Sequence, residues 1–306
     1  MNFFILEVLI GGLLTGVLYS LVALGFVLIF KASGVFNFAQ GAMCLFAALA
    51  LVRLMEIMPT ALALVAAALI MLALAFAIER IVLRPLVNQD GLILFMATIG
   101  ITFFITGFGQ AVFGSEVYTL DLGIPKDPLI LFDGLIPGGI LVNEFDLWAA
   151  VIAGLLVLVL AVFFQRTRIG RALRAVADDH QAALSVGIPL RHIWVIVWAV
   201  AGLVALAAGI IWGSKLGVQF SIAFVALKAL PVLMLGGLTS VPGAIVGGLI
   251  IGAGEKLAEV LLGPVLIRTF DLAGGGIENW FAYVIALVFL LFRPEGLFGE
   301  RHIDRV

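Results

Sequence analysis

Nine long apolar runs make up most of this chain, at residues 3–30, 35–52, 59–78, 92–113, 145–164, 193–212, 220–238, 241–262 and 280–292. A helix needs about 20 apolar residues to cross roughly 30 Å of hydrocarbon, so most of these runs are long enough to span a bilayer. Runs 35–52 and 220–238 could instead be re-entrant, and the short last run begins earlier, near Gly276. The expected fold is therefore all-α: a polytopic membrane helix bundle with about eight to ten transmembrane or re-entrant segments, in a single domain over residues 1–306.

Composition agrees. The chain is 64% hydrophobic and 12% charged, with mean hydropathy +1.27. Soluble domains carry about 25% charged residues and roughly 45–50% apolar ones. A net charge of −2 gives no reason to expect nucleic acid. The single cysteine, Cys44, allows no disulfide framework and no cysteine metal site. His180, His192 and His302 are not grouped with other ligands at a metal-site spacing, so no metal is expected. The N-terminal segment lacks a basic region and carries Glu7, which fits the start of a retained helix better than a signal peptide.

The longest polar island is 166–193. It holds Arg166, Arg168, Arg171, Arg174 and Arg191, with Asp178 and Asp179. Small residues recur through it at helical spacing: Ala172, Ala175 and Ala177, then Ala182, Ala183 and Gly187. Two short surface helices offering a compact face to another protein would give this pattern; so would a basic loop that only sets topology. Arginine and lysine in short loops mark the cytoplasmic side. That places Arg80, Arg84, the island, and Arg293, Arg301 and Arg305 inside. The loop 114–144, with Asp146 just beyond it, carries Glu116, Asp121, Asp127, Asp133 and Glu144 against Lys126, and belongs outside. Alternating spans then put the N-terminus outside and the C-terminus in the cytoplasm.

Many of the 35 glycines fall at small-xxx-small spacing, including Gly12 with Gly16, Gly243 with Gly247 and Gly248 with Gly252. Such spacing lets helix backbones approach closely in lipid. Two clusters look different, 33–41 and 236–243, because each interrupts the apolar pattern with glycine and polar side chains. Irregular backbone at membrane depth is tolerated only beside protein or water, and broken helices often line transport paths. This nominates Asn37, Gln40, Gly41, Thr98, Gly236, Gly237, Thr239 and Ser240 as pathway residues, with Thr15, Ser20, Thr102 and Gln110 as further polar groups. For each of these side chains taken singly, a helix–helix hydrogen bond is the commoner role. Hydroxyls and amides without dense charge suit a neutral or zwitterionic solute.

Charges inside the apolar runs are few: Lys228, Glu255, Lys256 and Glu259. Burying one costs at least about 2.5 kcal/mol on insertion scales, so a partner is expected. Counted from the turn at Thr239 and Ser240, Lys228 and Glu255 differ in depth by about 6 Å, within reach of a long side chain. An intramembrane Lys228–Glu255 ion pair is one expectation; a position for Glu255 and Lys256 at the outer interface is the other. No nucleophile elbow, no His-Glu-x-x-His and no G-x-x-x-x-G-K-[ST] loop occurs, so no catalytic residue is expected and no ATP site of that kind. Energy for transport would come from a partner or an ion gradient.

Four segments together carry a resemblance over nearly the whole chain. They are 37–41 (NFAQG); 170–175 (GRALRA) with Gly187 and Ile188; Leu235, Gly236, Gly237, Ser240, Pro242, Gly243, Ala244, Gly247 and Gly248; and 293–299 (RPEGLFG). In this order they resemble permeases of ABC importers of the branched-chain amino acid type. The resemblance implies a bacterial inner-membrane permease working by alternating access. Its partners would be a second related permease chain, two ATPase subunits that carry ATP and Mg, a periplasmic substrate-binding protein and the surrounding membrane lipid; this chain itself would hold no cofactor. It also implies that 166–193 is the coupling segment, with Gly170, Arg171, Arg174, Ala175, Asp178, Asp179, Ala183 and Gly187 facing the ATPase. The acidic outer loop would dock the binding protein. The chain departs from the family pattern after the first segment, with Ala42 where an acidic residue often stands and Ala47-Ala48-Leu49 in place of Gly-Ala-Tyr. That leaves the solute open: leucine, isoleucine or valine, or else urea, a short amide, a small carboxylate or an aromatic acid. The competing function is an ion-coupled secondary transporter; a membrane-embedded enzyme would need a catalytic dyad that the sequence lacks.

Overall fold

The structure, a computed structural model, describes residues 2–86, 89–131, 139–178, 183, 185, 187–188, 190–270 and 276–299. Ten α-helices appear among them: α1 (Asn2–Ser33), α2 (Gln40–Met55), α3 (Thr60–Ala77), α4 (Gly91–Phe113), α5 (Glu144–Arg166), α6 (Arg168–Asp178), α7 (Leu190–Leu216), α8 (Ile222–Gly236), α9 (Val241–Phe270) and α10 (Ile277–Phe292). A π-helix (Ile78–Leu83) and a 3-10 turn (Arg84–Leu86) continue α3.

Five helices are long and apolar enough to cross a membrane, at Phe3–Ser33, Thr60–Leu86, Gly91–Phe113, Glu144–Arg166 and His192–Leu216. α8 and α9 pass the same test only as a pair, bent by 114° between them. α2 and α10 are apolar but short, at 16 residues each. The nine apolar runs thus each become a helix, and the two suspected of being re-entrant, 35–52 and 220–238, give the short helices α2 and α8. The segment expected as a plain outer loop also contains a two-stranded antiparallel sheet, β1 (Pro128–Leu131) against β2 (Ile140–Asn143). Alternation in β2 is the reason: Ile140 and Val142 are buried while Leu141 and Asn143 are exposed.

By packing, the chain divides into two compact units. One comprises Met1–Ala23, Gly123–Val157 and Lys228–Val306; the other comprises Leu24–Leu122 and Leu158–Leu227. The second unit is built around α2, which α3, α4 and α7 enclose. Every residue from Gln40 to Val52 is buried, as expected for a helix apolar on all sides. The first unit is built on the crossing of α1 and α9. Gly12 faces Gly252 and Gly16 faces Gly248; a Cβ on Gly12 would lie 2.7 Å from the Gly252 carbonyl oxygen. Ser20 continues the stripe, its hydroxyl donating to Gly16 O at 2.9 Å and Ile245 O at 3.2 Å. These are the glycines whose spacing in the sequence predicts close helix approach.

Candidate functional site

Four places hold the sequence-predicted residues. The first is the break between α1 and α2. Gly34 takes φ +66°, and its N–H donates to Phe30 O at 2.8 Å, ending α1. Asn37 Oδ1 accepts from Ala39 N at 3.1 Å, while Asn37 Nδ2 donates to Gln40 Oε1 at 3.2 Å. Gln40 Nε2 reaches Ala201 O on α7 at 3.4 Å, and the absence of a side chain at Gly25 leaves room for its amide. The Thr98 hydroxyl contacts Phe36 O at 3.1 Å and Phe95 O at 2.9 Å. Phe26, Phe36, Phe38 and Phe95 pack in series around the break, with centroids 4.6 to 5.0 Å apart: stacked, then tilted, then edge-to-face. Asn37, Gln40 and Thr98 are 0% exposed. Asn37 and Gln40 bond to each other and to main chain, and Thr98 bonds to main-chain carbonyls. Gly41 lies against Ala223 O and Ala226, so it is where α8 approaches α2.

The second place is the corner between α8 and α9. The Ser240 hydroxyl accepts from Gly243 N at 3.0 Å, a helix N-cap. Gly236 packs on Gly243, and Gly237 takes φ +105° beside Gly299. Thr239 is half-buried in the same turn. The last carbonyls of α8 are taken from outside the helix: Leu297 N donates to Leu235 O at 2.8 Å and Phe298 N to Gly236 O at 3.1 Å. The segment 293–299 therefore fastens this corner, a role that its residue types alone did not suggest because only its main chain is involved.

The third place is the junction of α5 and α6. The Thr167 hydroxyl donates to Phe163 O at 2.6 Å and accepts from Gly170 N at 3.1 Å, which caps α6. Gly170 sits directly on Phe164 O, where a side chain has no room. Arg174 reaches back to Phe164 O, and Arg171 to Arg166 O at 3.4 Å. Two of the island's arginines thus satisfy carbonyls at the C-terminus of α5, where the helix dipole also favours a cation. α6 buries Gly170, Leu173 and Val176, exposes Arg168 and Arg171, and leaves Ala175 half-buried between them. Ala183 is buried, and Gly187 is exposed at φ +82°. Asp178 ends α6; Asp179, like most of the expected second short helix, lies outside the described residues.

The fourth place is a polar cluster in the first unit, and it corrects the expected Lys228–Glu255 pair. Lys228 Nζ lies 3.6 Å from Glu278 Oε1, on α10. Glu255, only 2% exposed, accepts instead from the Tyr19 hydroxyl of α1 at 3.0 Å. Lys256 bridges Glu259 and Glu278, at 3.1 Å each. Depth counted along α8 and α9 predicts similar levels for the two side chains, but α10 brings the Glu278 carboxylate closer to Lys228. Among the described residues no group of three or more His, Cys, Asp or Glu could hold a metal ion.

The family model described as branched-chain amino acid transport system, permease component, matches residues 8–293. The chain is similar to the high-affinity branched-chain amino acid transport system permease protein BraD of Pseudomonas aeruginosa, at 28% identity over 98% of both chains. It is likewise similar to the permease LivH of Escherichia coli, at 27% identity over 99% of this chain and 98% of the relative. A shorter match, 26% identity over 54% of this chain and 46% of the relative, is to the L-arabinose ABC transporter permease AraH of Azospirillum brasilense.

Proposed function

Because the chain belongs to the family of branched-chain amino acid transport system permease components, we propose that this multi-pass membrane protein is the permease subunit of an ATP-driven importer for branched-chain amino acids. α6 carries the proposal. It is a short amphipathic helix fixed to the end of a long apolar helix by Thr167, Gly170 and Arg174, and it exposes two arginines beside half-buried alanines. A rigid junction of this kind can pass a push on α6 into α5 instead of absorbing it.

In this reading α6 and the residues that follow it, through Gly187, dock on an ATPase subunit that holds ATP and Mg. A second, related permease completes the membrane path. A periplasmic binding protein delivers the solute to the outer face, where 114–144 presents its hairpin. The chain ends on the cytoplasmic side, with Arg166, Arg168 and Arg293 at that face. The breaks at 33–41 and 236–243 contribute to the solute path through main chain and Thr239, since Asn37, Gln40 and Thr98 are already satisfied and Gly41 is packed against α8. The names of the two full-length relatives favour leucine, isoleucine or valine as solute, while the arabinose permease shows that a related chain serves a different one.

Ala175→Trp in the assembled importer tests the coupling. Solute uptake is expected to fall at least tenfold while the chain still reaches the membrane in normal amount. Gly187 is the less clean site, since φ +82° strains any larger residue there as well. Uptake that survives Ala175→Trp and collapses with a protonophore while ATP remains would instead identify an ion-coupled carrier.

A further inference from the structure

The polar cluster of the first unit has an uneven distribution of charge. Glu278 has two cations: Lys256 at 3.1 Å on one oxygen and Lys228 at 3.6 Å on the other. Glu255 is far more buried and, among the described residues, has no cation within salt-bridge distance. One of its oxygens accepts from Tyr19, and the other, Oε1, has no partner among the described residues. A buried carboxylate gains most from a cation where water is excluded, so the ammonium that is redundant at Glu278 would do more at Glu255.

Geometry makes Lys228 the one able to move. Lys256 is held by two carboxylates, Glu259 and Glu278. Among the described residues, Lys228 makes only the longer contact. It stands on the short helix α8, where Pro231, which has no N–H for a helical hydrogen bond, follows within one turn. α8 then runs into the 114° bend with α9. The groups around Glu255 are Tyr19 on α1, Lys228 on α8, Lys256 on its own helix, and Glu278 and Tyr283 on α10.

We infer that Lys228 is a two-position switch: it pairs with Glu278 in the conformation described here and with the unpartnered oxygen of Glu255 in a second conformation of the transport cycle. The second pairing is reached when α8 shifts at its bend. Glu278 keeps Lys256 throughout, so neither arrangement strands it. The inference rests on the chain being a transport subunit but not on the energy source, so it stands or falls separately from coupling through α6.

A double-mutant cycle on the full chain in its assembled transporter tests it, with solute uptake and thermal unfolding both measured. Glu255→Gln keeps an acceptor for Tyr19 and removes the charge that attracts Lys228. Lys228→Gln leaves Glu278 paired to Lys256. Each single variant is expected to lower uptake about tenfold, a coupling of ordinary size between two states, with no fall in melting temperature. The double variant is expected to recover to within about threefold of the parent. A purely structural cluster predicts the reverse: a lower melting temperature, and uptake that follows the amount of folded protein. Unchanged uptake in Lys228→Gln, or a double variant no better than the worse single, overturns the switch. If Glu255→Gln fails to accumulate, Lys228→Gln decides alone: tenfold loss of uptake at an unchanged melting temperature supports the switch, and parental uptake ends it.

Discussion

Gly16→Leu leaves little folded protein in the membrane, and Gly252→Leu does the same. At Gly16 a Cβ would lie 2.5 Å from Gly248 O and 2.9 Å from the Leu249 Cα. At Gly252 it would lie 2.5 Å from Gly12 O and 2.5 Å from the Gly16 Cα. The obstacle is backbone in both cases, so no rotamer change relieves it, and α1 and α9 have to separate. Overpacking a well-fitted interior costs about 1–3 kcal/mol, and more where main chain must move. Separation also breaks the Ser20 hydroxyl's bond to Ile245 O and the Tyr19–Glu255 bond, which in a lipid-embedded bundle have no water to replace them. Detergent-solubilised protein is expected to melt well below the parent by fluorescence-detected size exclusion. Gly11→Leu is the control, since a Cβ there meets nothing within 4 Å. Equal melting temperatures for Gly11→Leu and Gly16→Leu would show that the crossing does not hold the first unit together.

Arg84→Ala is the second large loss. Glu79 is 1% exposed and its carboxylate is held by Arg84 through both oxygens, at 3.0 and 3.2 Å. Removing one partner of a buried pair leaves a bare charge and costs about 3 kcal/mol. Glu79→Gln combined with Arg84→Ala removes that charge as well, so the double variant is expected to recover most of the lost stability. A melting temperature for Arg84→Ala equal to the parent, or a double variant less stable than Arg84→Ala, would rule out the pair as a support of the fold.

That pair also shows how sequence and structure divide the problem. Glu79 and Arg84 are five apart, a separation that puts them on different faces of an α-helix. The π-helix at Ile78–Leu83 winds more widely, and Arg84 N bonds to Glu79 O, which brings the fifth residue back over the first. Glu79, Arg80 and Arg84 are visible in the sequence as the polar end of a span; which two meet depends on one local change of winding. Asn37, Gln40 and Thr98 follow the same logic. The presence of Asn37 and Gln40 in a break and of Thr98 in an apolar helix is legible, but what their polar atoms face depends on where α4 and α7 place Thr98 and the Ala201 carbonyl.

What the sequence determined by itself is what a single helix carries along its length. The apolar runs became helices because lipid leaves the backbone no other way to satisfy its polar groups. Gly12, Gly16, Gly248 and Gly252 met because four-residue spacing aligns bare backbone on one face. Gly170, Gly237 and Ser240 mark ends and corners because those positions need a missing side chain or a capping hydroxyl. Tertiary structure alone decided the partners of side chains. Lys228 lies near enough in depth to Glu255 for a pair, yet it reaches Glu278, because the rotation of α8 and the start of α10 set the shorter distance. Depth is a property of one helix; the choice among three carboxylates is a property of how several helices are turned against each other.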